Sequence, residues 1–246
     1  MAQINGKTTA PVYGVESGNA GNYNYVPLLT VGDRVALLEG DFGNFTTSNT
    51  QTYAMAGIPD GLGYVEINGI KYVFMNHELS GGTLEVDAAG QRVDPGVTTD
   101  IQTSQGQGEI RGARVSLWAF DENWNAIGGK NLIEDVLVDG VTYSLNTTTG
   151  NYQDASGNVL TWFNHENFTR FCSGYLAAQG FVDAQGNAIP IWFAPQERSD
   201  GVGTPVQANG LATPVKGLGT LSKENVVAAS QYRAANSEYT VLLATG

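Results

Sequence analysis

The chain has little histidine, cysteine or positive charge. Its 246 residues include two histidines and one cysteine, and 12 Lys and Arg residues stand against 24 Asp and Glu residues, for a formal net charge of -12. One cysteine excludes a disulfide within the chain, so its thiol is either a ligand, a nucleophile or a small buried apolar group. The acidic balance disfavours nucleic acid as a partner, because phosphate backbones would be repelled.

Long apolar runs are also missing. No stretch approaches the roughly 18 apolar residues of a membrane-spanning helix, and the opening MAQINGKTTAPVYGV lacks a basic segment followed by an apolar one. We therefore predict no membrane span. If the protein is exported, its signal lies elsewhere or has been removed.

The residues that are abundant favour strands and turns. Hydrophobic residues make up 41% of the chain, charged residues 15%, and there are 32 glycines, which is too apolar for disorder and too glycine-rich for a helical bundle. Runs rich in β-branched and aromatic residues recur between Gly, Asn and Asp: RVALLEG, GYVEINGIKYVFMNHE, RGARVSLWAFD, LTWFNHE, IPIWFAP and EYTVLLATG. We predict an all-β, mainly antiparallel fold in a single domain over residues 1–246.

Helical periodicity is weak throughout the chain. SGYLAAQGF and KENVVAASQYRA are the best helix candidates, and the second is equally compatible with a strand and a loop. Two polar, glycine-rich segments, VDPGVTTDIQTSQGQGEIRG and RSDGVGTPVQANGLATPVKG, are predicted to be long surface loops.

A turn phrase led by aspartate occurs four times, as DAAGQ at Asp87, DENWNAIGG at Asp121, DASGN at Asp154 and DAQGN at Asp183. Asp side chains cap turns, and Gly and Asn accept a positive φ. Each phrase therefore predicts the tip of a hairpin, and together they favour a regular array of hairpins.

The tripeptide Asn-His-Glu occurs twice, at the ends of the apolar runs VFMNHE and TWFNHE, and contains both histidines. A buried strand that ends in three polar residues can present them to a cleft, which in a propeller is the central channel. The candidate cleft-lining residues are Asn76, His77, Glu78, Asn164, His165 and Glu166. The alternative is that each histidine donates a hydrogen bond in a strand-end turn while its glutamate faces solvent.

The segment RFCSGYLAAQGF followed by IPIWFAPQE resembles the corresponding part of the PhoX-type alkaline phosphatases and their DUF839 relatives. The first NHE phrase, GARVSLW and GLGTLSKENVV fit the same order, and the resemblance covers residues 55–246. It implies a six-bladed β-propeller whose central channel holds iron and calcium and hydrolyses phosphate esters. Family members are longer, so we expect this chain to be the N-terminal part of such a protein, with an incomplete propeller.

The same resemblance implies the metal ligands. Cys172 would be a thiolate ligand of iron, and Glu197 and Glu224 would be carboxylate ligands. A soft thiolate suits a redox-capable metal, and hard carboxylate oxygens suit ferric iron and calcium. The chain departs from the family at Gln196, where a second carboxylate is expected beside Glu197, and a basic substrate clamp is expected beyond Gly246.

These observations lead to two functional expectations. The first is an extracellular or periplasmic, metal-dependent phosphatase that hydrolyses small phosphate monoesters, since bound cations can attract a phosphate to an acidic protein. The second is a catalytically silent extracellular protein that keeps the β scaffold, binds calcium or self-associates through open strand edges.

Overall fold

The computed structural model of the protein describes residues 4, 6–10, 26–80, 85–86, 92–93, 102–104, 108–162, 165–182, 186, 188–229 and 239–246. Within these residues, the regular structure consists of β-strands and one short 3-10 turn, Lys216–Leu218. The predicted all-β class is therefore confirmed. None of the described residues forms a helix that is long and apolar enough to span a membrane.

The strands are short and follow one another closely along the chain. In chain order they are β1 (Arg34–Glu39), β2 (Thr46–Ala54), β3 (Pro59–Ile67), β4 (Ile70–His77), β5 (Glu85–Val86), β6 (Arg92–Val93), β7 (Gln102–Ser104), β8 (Gly108–Ile110), β9 (Arg114–Phe120), β10 (Ala126–Asn131), β11 (Asp135–Val138), β12 (Val141–Asn146), β13 (Asn151–Gln153), β14 (Thr161–Trp162), β15 (His165–Glu166), β16 (Tyr175–Ala177), β17 (Ile191–Pro195), β18 (Gly203–Gln207), β19 (Leu211–Ala212), β20 (Asn225–Ala228) and β21 (Leu242–Thr245).

Two large sheets organise these strands. The first has six strands in the order β2-β1-β10-β9-β4-β3, and the second has seven in the order β13-β12-β11-β19-β18-β17-β16. Among the described pairs, β1 with β10 and β11 with β19 are parallel, and the others are antiparallel, as predicted. The pairs β5–β6, β7–β8, β14–β15 and β20–β21 form separate two-stranded sheets.

Side chains along β4 and β9 alternate between the two faces of the six-stranded sheet, as extended strands require. Phe74 and Leu117 belong to the core that also contains Trp192 of β17, and the ring centroids of Phe74 and Trp192 are 5.9 Å apart. Met75 and Trp118 belong to a second core on the opposite face. Neighbouring residues of β4 therefore serve two different cores.

Strand β17 of the seven-stranded sheet is buried on both faces. Trp192 packs in the core shared with the six-stranded sheet, while its neighbour Phe193 packs with Val226 of β20 in a third core. The successive sheets are thus packed face to face, with a buried apolar layer between them.

Two of the four aspartate-led turn phrases lie in the described residues, and both are hairpin tips. Asp121 accepts hydrogen bonds from the backbone amides of Asn123 and Asn125 and from the Asn125 side chain. Asp154 makes the equivalent bonds to Ser156 and Asn158. The hydrogen bonds from the side chains of Asn125 and Asn158 are the largest cause of the lowered pKa of the two carboxyl groups. The phrases at Asp87 and Asp183 fall outside the described residues.

Two local predictions were wrong. The helix candidate SGYLAAQGF contains β16, and the second predicted surface loop contains β18 and β19. In KENVVAASQYRA, β20 agrees with the strand alternative. Apolar residues of these segments, such as Ala177, Val206 and Val226, are buried. Burial between sheets overrides a weak helical or loop preference. Of the first predicted loop, the strand pair β7–β8 is described.

Candidate metal site

The Cys172 loop, residues 170–174, lies against one end of the β3–β4 pair. The Gly61 backbone amide donates to the carbonyl oxygen of Cys172 at 3.2 Å. Nδ2 of Asn76 donates to the carbonyl oxygens of Cys172 and Ser173, each at 2.9 Å. The backbone around the thiol is therefore fixed to the edge of the six-stranded sheet.

Gly61 permits this close approach, because a side chain at that position would enter the loop. A Cβ atom on Gly61 would lie 2.3 Å from the nitrogen of Gly174 and 2.6 Å from the carbonyl carbon of Ser173. We expect Gly61→Ala to lower the free energy of unfolding by about 2 kcal/mol, since the backbone must move apart. Urea unfolding measures this loss, with Gly217→Ala as the control.

A Cβ on Gly217 meets nothing within 4 Å, so Gly217→Ala is expected to change stability by less than about 0.5 kcal/mol. Equal stability of the two variants would contradict a close contact between Gly61 and the Cys172 loop.

Three potential metal ligands meet where the Cys172 loop contacts the sheet. Pro59 pairs with His77, so Asp60 and Glu78, the next residue of each segment, lie at the same end of the β3–β4 pair. One ligand atom from each of Asp60, Glu78 and Cys172 lies within 4.8 Å of the others. Sγ of Cys172 donates to Oδ2 of Asp60 at 3.3 Å.

Arg170 connects this cluster to a third carboxylate, that of Glu197. Nε and Nη2 of Arg170 donate to Oε1 of Glu78 at 3.0 and 2.8 Å, and Nη2 also donates to Oε2 of Glu197 at 3.0 Å. The Glu197 backbone amide donates to the carbonyl oxygen of Arg170 at 2.9 Å. Three carboxylates and one guanidinium therefore surround the thiol, and negative charge is in excess.

This environment keeps the thiol protonated in the absence of a cation. Partial burial, the hydrogen bond and negative charge of Asp60, and the neighbouring Glu197 together raise the pKa of Cys172 to about 12, with burial as the largest cause. A bound cation reverses this effect, since a coordinating thiol loses its proton.

The donor set fits a transition metal better than calcium alone. A thiolate with carboxylate oxygens is suited to iron, whereas calcium takes six to eight oxygen ligands and no sulfur. Cys172, Asp60 and Glu78 are the residues that could hold such an ion, and Glu197 adjoins them. The arrangement therefore offers one thiol and two carboxylates as possible ligands at the edge of the sheet.

The first Asn-His-Glu phrase is divided among three environments. Asn76 is buried in the core between the sheets, where its Oδ1 accepts a hydrogen bond from Nε1 of Trp192 at 2.8 Å. His77 is buried on the opposite face, between the Gly57 carbonyl oxygen and Ser116. Only Glu78, beyond the strand, reaches the cluster. Asn76 and His77 thus do not line an open cleft, because alternation along β4 points them into opposite cores.

The second phrase is described only in part. Asn164 and the side chain of His165 lie outside the described residues. Glu166, in β15, is 6% exposed and does not belong to the group formed by Asp60, Glu78 and Cys172. The predicted cleft shared by the two phrases stays a prediction.

The predicted ligand Glu224 is not brought into the cluster. Its side chain is exposed, and its backbone amide donates to the carbonyl oxygen of Thr245. The preceding residue, Lys223, is buried instead, and its Nζ donates to the carbonyl oxygens of Gly201, Gly219 and Leu221. Thus SKENVV anchors a loop through its lysine and leaves its glutamate at the surface.

Two residues of the cluster were missed in the sequence. Asp60 stands in the phrase PDG, which is typical of a turn, and only its position at the start of a strand paired with VFMNHE distinguishes it. Arg170 stands two residues before Cys172 in RFCSG, so it could have been noted as a basic residue inside the most specific motif.

Comparison of the chain with family models, with curated proteins and with solved structures finds no match in any of the three.

Proposed function

We propose that this chain carries the metal site of a phosphatase that hydrolyses phosphate monoesters with the help of iron and calcium. The observation that supports this best is the convergence of Asp60, Glu78 and Cys172, with ligand atoms within 4.8 Å of one another. Glu78 and Cys172 belong to the segments that resemble the PhoX-type phosphatases, and so does Glu197, which shares Arg170 with Glu78. Residues distant in sequence thus meet around a donor set suited to iron.

In this proposal, Cys172, Asp60, Glu78 and Glu197 hold the cation. A bound metal ion would supply Lewis-acid polarisation of the phosphoryl oxygens and positive charge for the ester. The protein positions the ligands, because Asn76 and the close contact at Gly61 fix the thiol beside the carboxylates. In the metal-free protein the same carboxylates repel a phosphate dianion, so cation binding must precede ester binding.

For the fold, we propose a β-propeller, of which this chain forms a part. The face-to-face packing of successive sheets through Trp192 and Phe193 supports this arrangement, because propeller blades bury the same kind of apolar layer between them. The parallel pairs β1–β10 and β11–β19 are additional to the antiparallel pairing of a four-stranded blade.

We also propose that the protein acts outside the cytoplasm, in the periplasm or at the cell exterior, on small phosphate esters. The support for this location is the resemblance of the RFCSG segment to secreted phosphatases. The net charge of -12 is compatible with such a substrate only when cations are bound.

The experiment that tests the metal site is iron analysis of the purified chain and of Cys172→Ser. We expect the wild-type chain to bind about one equivalent of iron and to show a thiolate-to-iron charge-transfer band, because the thiolate is a direct ligand. Cys172→Ser should lose the band and most of the iron. Glu78→Gln should lose most of the iron as well, since it removes a second ligand.

Glu66→Gln is the matched control, because Glu66 carries an exposed carboxylate whose contacts are with Tyr64 and Lys71. Its iron content should equal that of the wild type. Iron retained by Cys172→Ser with an unchanged spectrum would exclude Cys172 as a ligand.

A second candidate function is a catalytically silent extracellular β protein that binds calcium or self-associates. The favouring observation is that Arg170 already forms ion pairs with both Glu78 and Glu197 without a metal ion. Metal analysis separates the two candidates: iron supports the phosphatase, whereas calcium alone supports the silent scaffold.

A further inference from the structure

The guanidinium of Arg170 occupies the position of a cation between two carboxylates of the candidate metal site. It donates to Glu78 through Nε and Nη2 and to Glu197 through Nη2. These bonds raise the pKa of Arg170, the bond to Glu78 most of all. The side chain is still 45% exposed, and Nη1 donates no hydrogen bond to any residue that the structure describes. One side of the guanidinium is thus engaged and the other is open.

The backbone holds Arg170 firmly at this place. Its φ angle is 51°, in the left-handed region that residues other than glycine rarely adopt and that often marks functional sites. Its amide donates to the carbonyl oxygen of Leu79, next to Glu78, and its carbonyl oxygen accepts from the amide of Glu197. The chain segments that carry both partner carboxylates are therefore fixed to Arg170 itself, unlike the partners of a mobile surface ion pair.

Arg170 and a metal ion would compete for Glu78. Glu78 is at once the main partner of the guanidinium and a member of the three-residue ligand group. Like charges repel at this distance, so a cation among Asp60, Glu78 and Cys172 weakens the hold of Glu78 on the guanidinium. It also changes the local charge from negative toward positive.

We propose that Arg170 is an exchangeable counter-cation: it pairs with Glu78 and Glu197 in the metal-free protein and binds the phosphoryl oxygens of the substrate in the metal-loaded protein. This inference rests on the proposed function. A guanidinium presents paired N–H groups that match phosphate oxygens, and the open Nη1 group is available for them. The substrate clamp is then supplied within this chain, beside Cys172.

The test measures two binding constants of Arg170→Gln by calorimetry in the absence of oxygen. The first is for ferrous iron binding to the metal-free protein, and the second is for inorganic phosphate binding to the iron-saturated protein. We expect iron to bind about tenfold more tightly, because the competing cation is gone, and phosphate to bind about tenfold more weakly, because a charged donor is lost. Arg170→Lys keeps the charge and should recover part of the phosphate affinity.

Arg198→Gln is the matched control, since Arg198 lies beside Glu197 in sequence and pairs with Asp200; both constants should stay at their wild-type values. If Arg170→Gln weakens iron and phosphate binding together, Arg170 is only a structural support and the inference is overturned. It is equally overturned if phosphate affinity is unchanged while iron still binds. Absence of iron binding in the wild type would instead overturn the proposed function.

Discussion

Acidification from pH 7 to pH 4 is expected to lower the free energy of unfolding by about 3 kcal/mol through His77 alone. Burial lowers the pKa of this imidazole from 6.5 to about 4 in the folded protein. Above pH 6.5 the ring is neutral in both states, and its full contribution is present. As the pH falls from 6.5 to 4, the unfolded chain gains a proton that the folded protein does not accept, so stability is lost in this window.

The surroundings of His77 explain the size of the effect. Nδ1 lies 2.9 Å from the carbonyl oxygen of Gly57 and Nε2 lies 2.7 Å from Oγ of Ser116, which in turn lies 2.6 Å from the Tyr53 hydroxyl. The positive charge of Arg114 also disfavours a second proton on the ring. A charged imidazole has no carboxylate partner among these groups.

Urea unfolding of the wild type and of His77→Gln at several pH values between 7 and 4 measures this contribution. The stability of the variant should fall less steeply, because glutamine does not titrate. The chain has two histidines, so nuclear magnetic resonance can follow both rings and give the pKa directly, even if the variant folds poorly. A parallel loss of stability in the two proteins would contradict the prediction.

The second large effect is expected for Asn76→Leu, which should lower the free energy of unfolding by about 3 kcal/mol and also reduce iron binding. Its amide group bonds to the indole nitrogen of Trp192 and to the carbonyl oxygens of Cys172 and Ser173. Leucine has a similar size but leaves the buried indole N–H of Trp192 without its acceptor, and it removes one donor from each of the two carbonyl oxygens. The Cys172 loop would then lose a connection to the sheet.

The double variant Asn76→Leu/Trp192→Phe is the informative control. Removing both the acceptor and the indole donor should restore part of the lost stability, because no unsatisfied indole N–H remains. Iron binding should stay low, since the Cys172 loop is still unanchored. If Asn76→Leu alone costs less than about 1 kcal/mol, Asn76 does not hold the loop in the way its contacts indicate.

Much of the strand pattern could be predicted because its cause is local. RVALLEG and VSLWAF are rich in residues that favour strands, and the tips at Asp121 and Asp154 close their own hydrogen bonds. SGYLAAQGF shows no clear hydrophobic periodicity, and its strand β16 is fixed by pairing with β17. That partner follows later in the chain, so the segment alone does not determine its structure.

The site could be predicted in part for a related reason. Glu78, Cys172 and Glu197 belong to recognisable motifs, and the structure places them near one another. Asp60 could not be found, since it is 112 residues from Cys172 and its neighbours resemble a turn. The Asn-His-Glu phrase was interpreted as one unit because the sequence shows adjacency and not the direction of each side chain.

The parallel pairing of β1 with β10, in which Leu37 lies opposite Gly129, sets an order of events during synthesis. The first strands leave the ribosome well before their central partner, so the six-stranded sheet cannot close until the chain has grown past β10. The Cys172 loop comes later still, so its contacts with Gly61 and Asn76 can form only after the strands of this sheet have been made. Loop closures this long slow folding, and the edge of β1 is exposed to other nascent chains in the meantime.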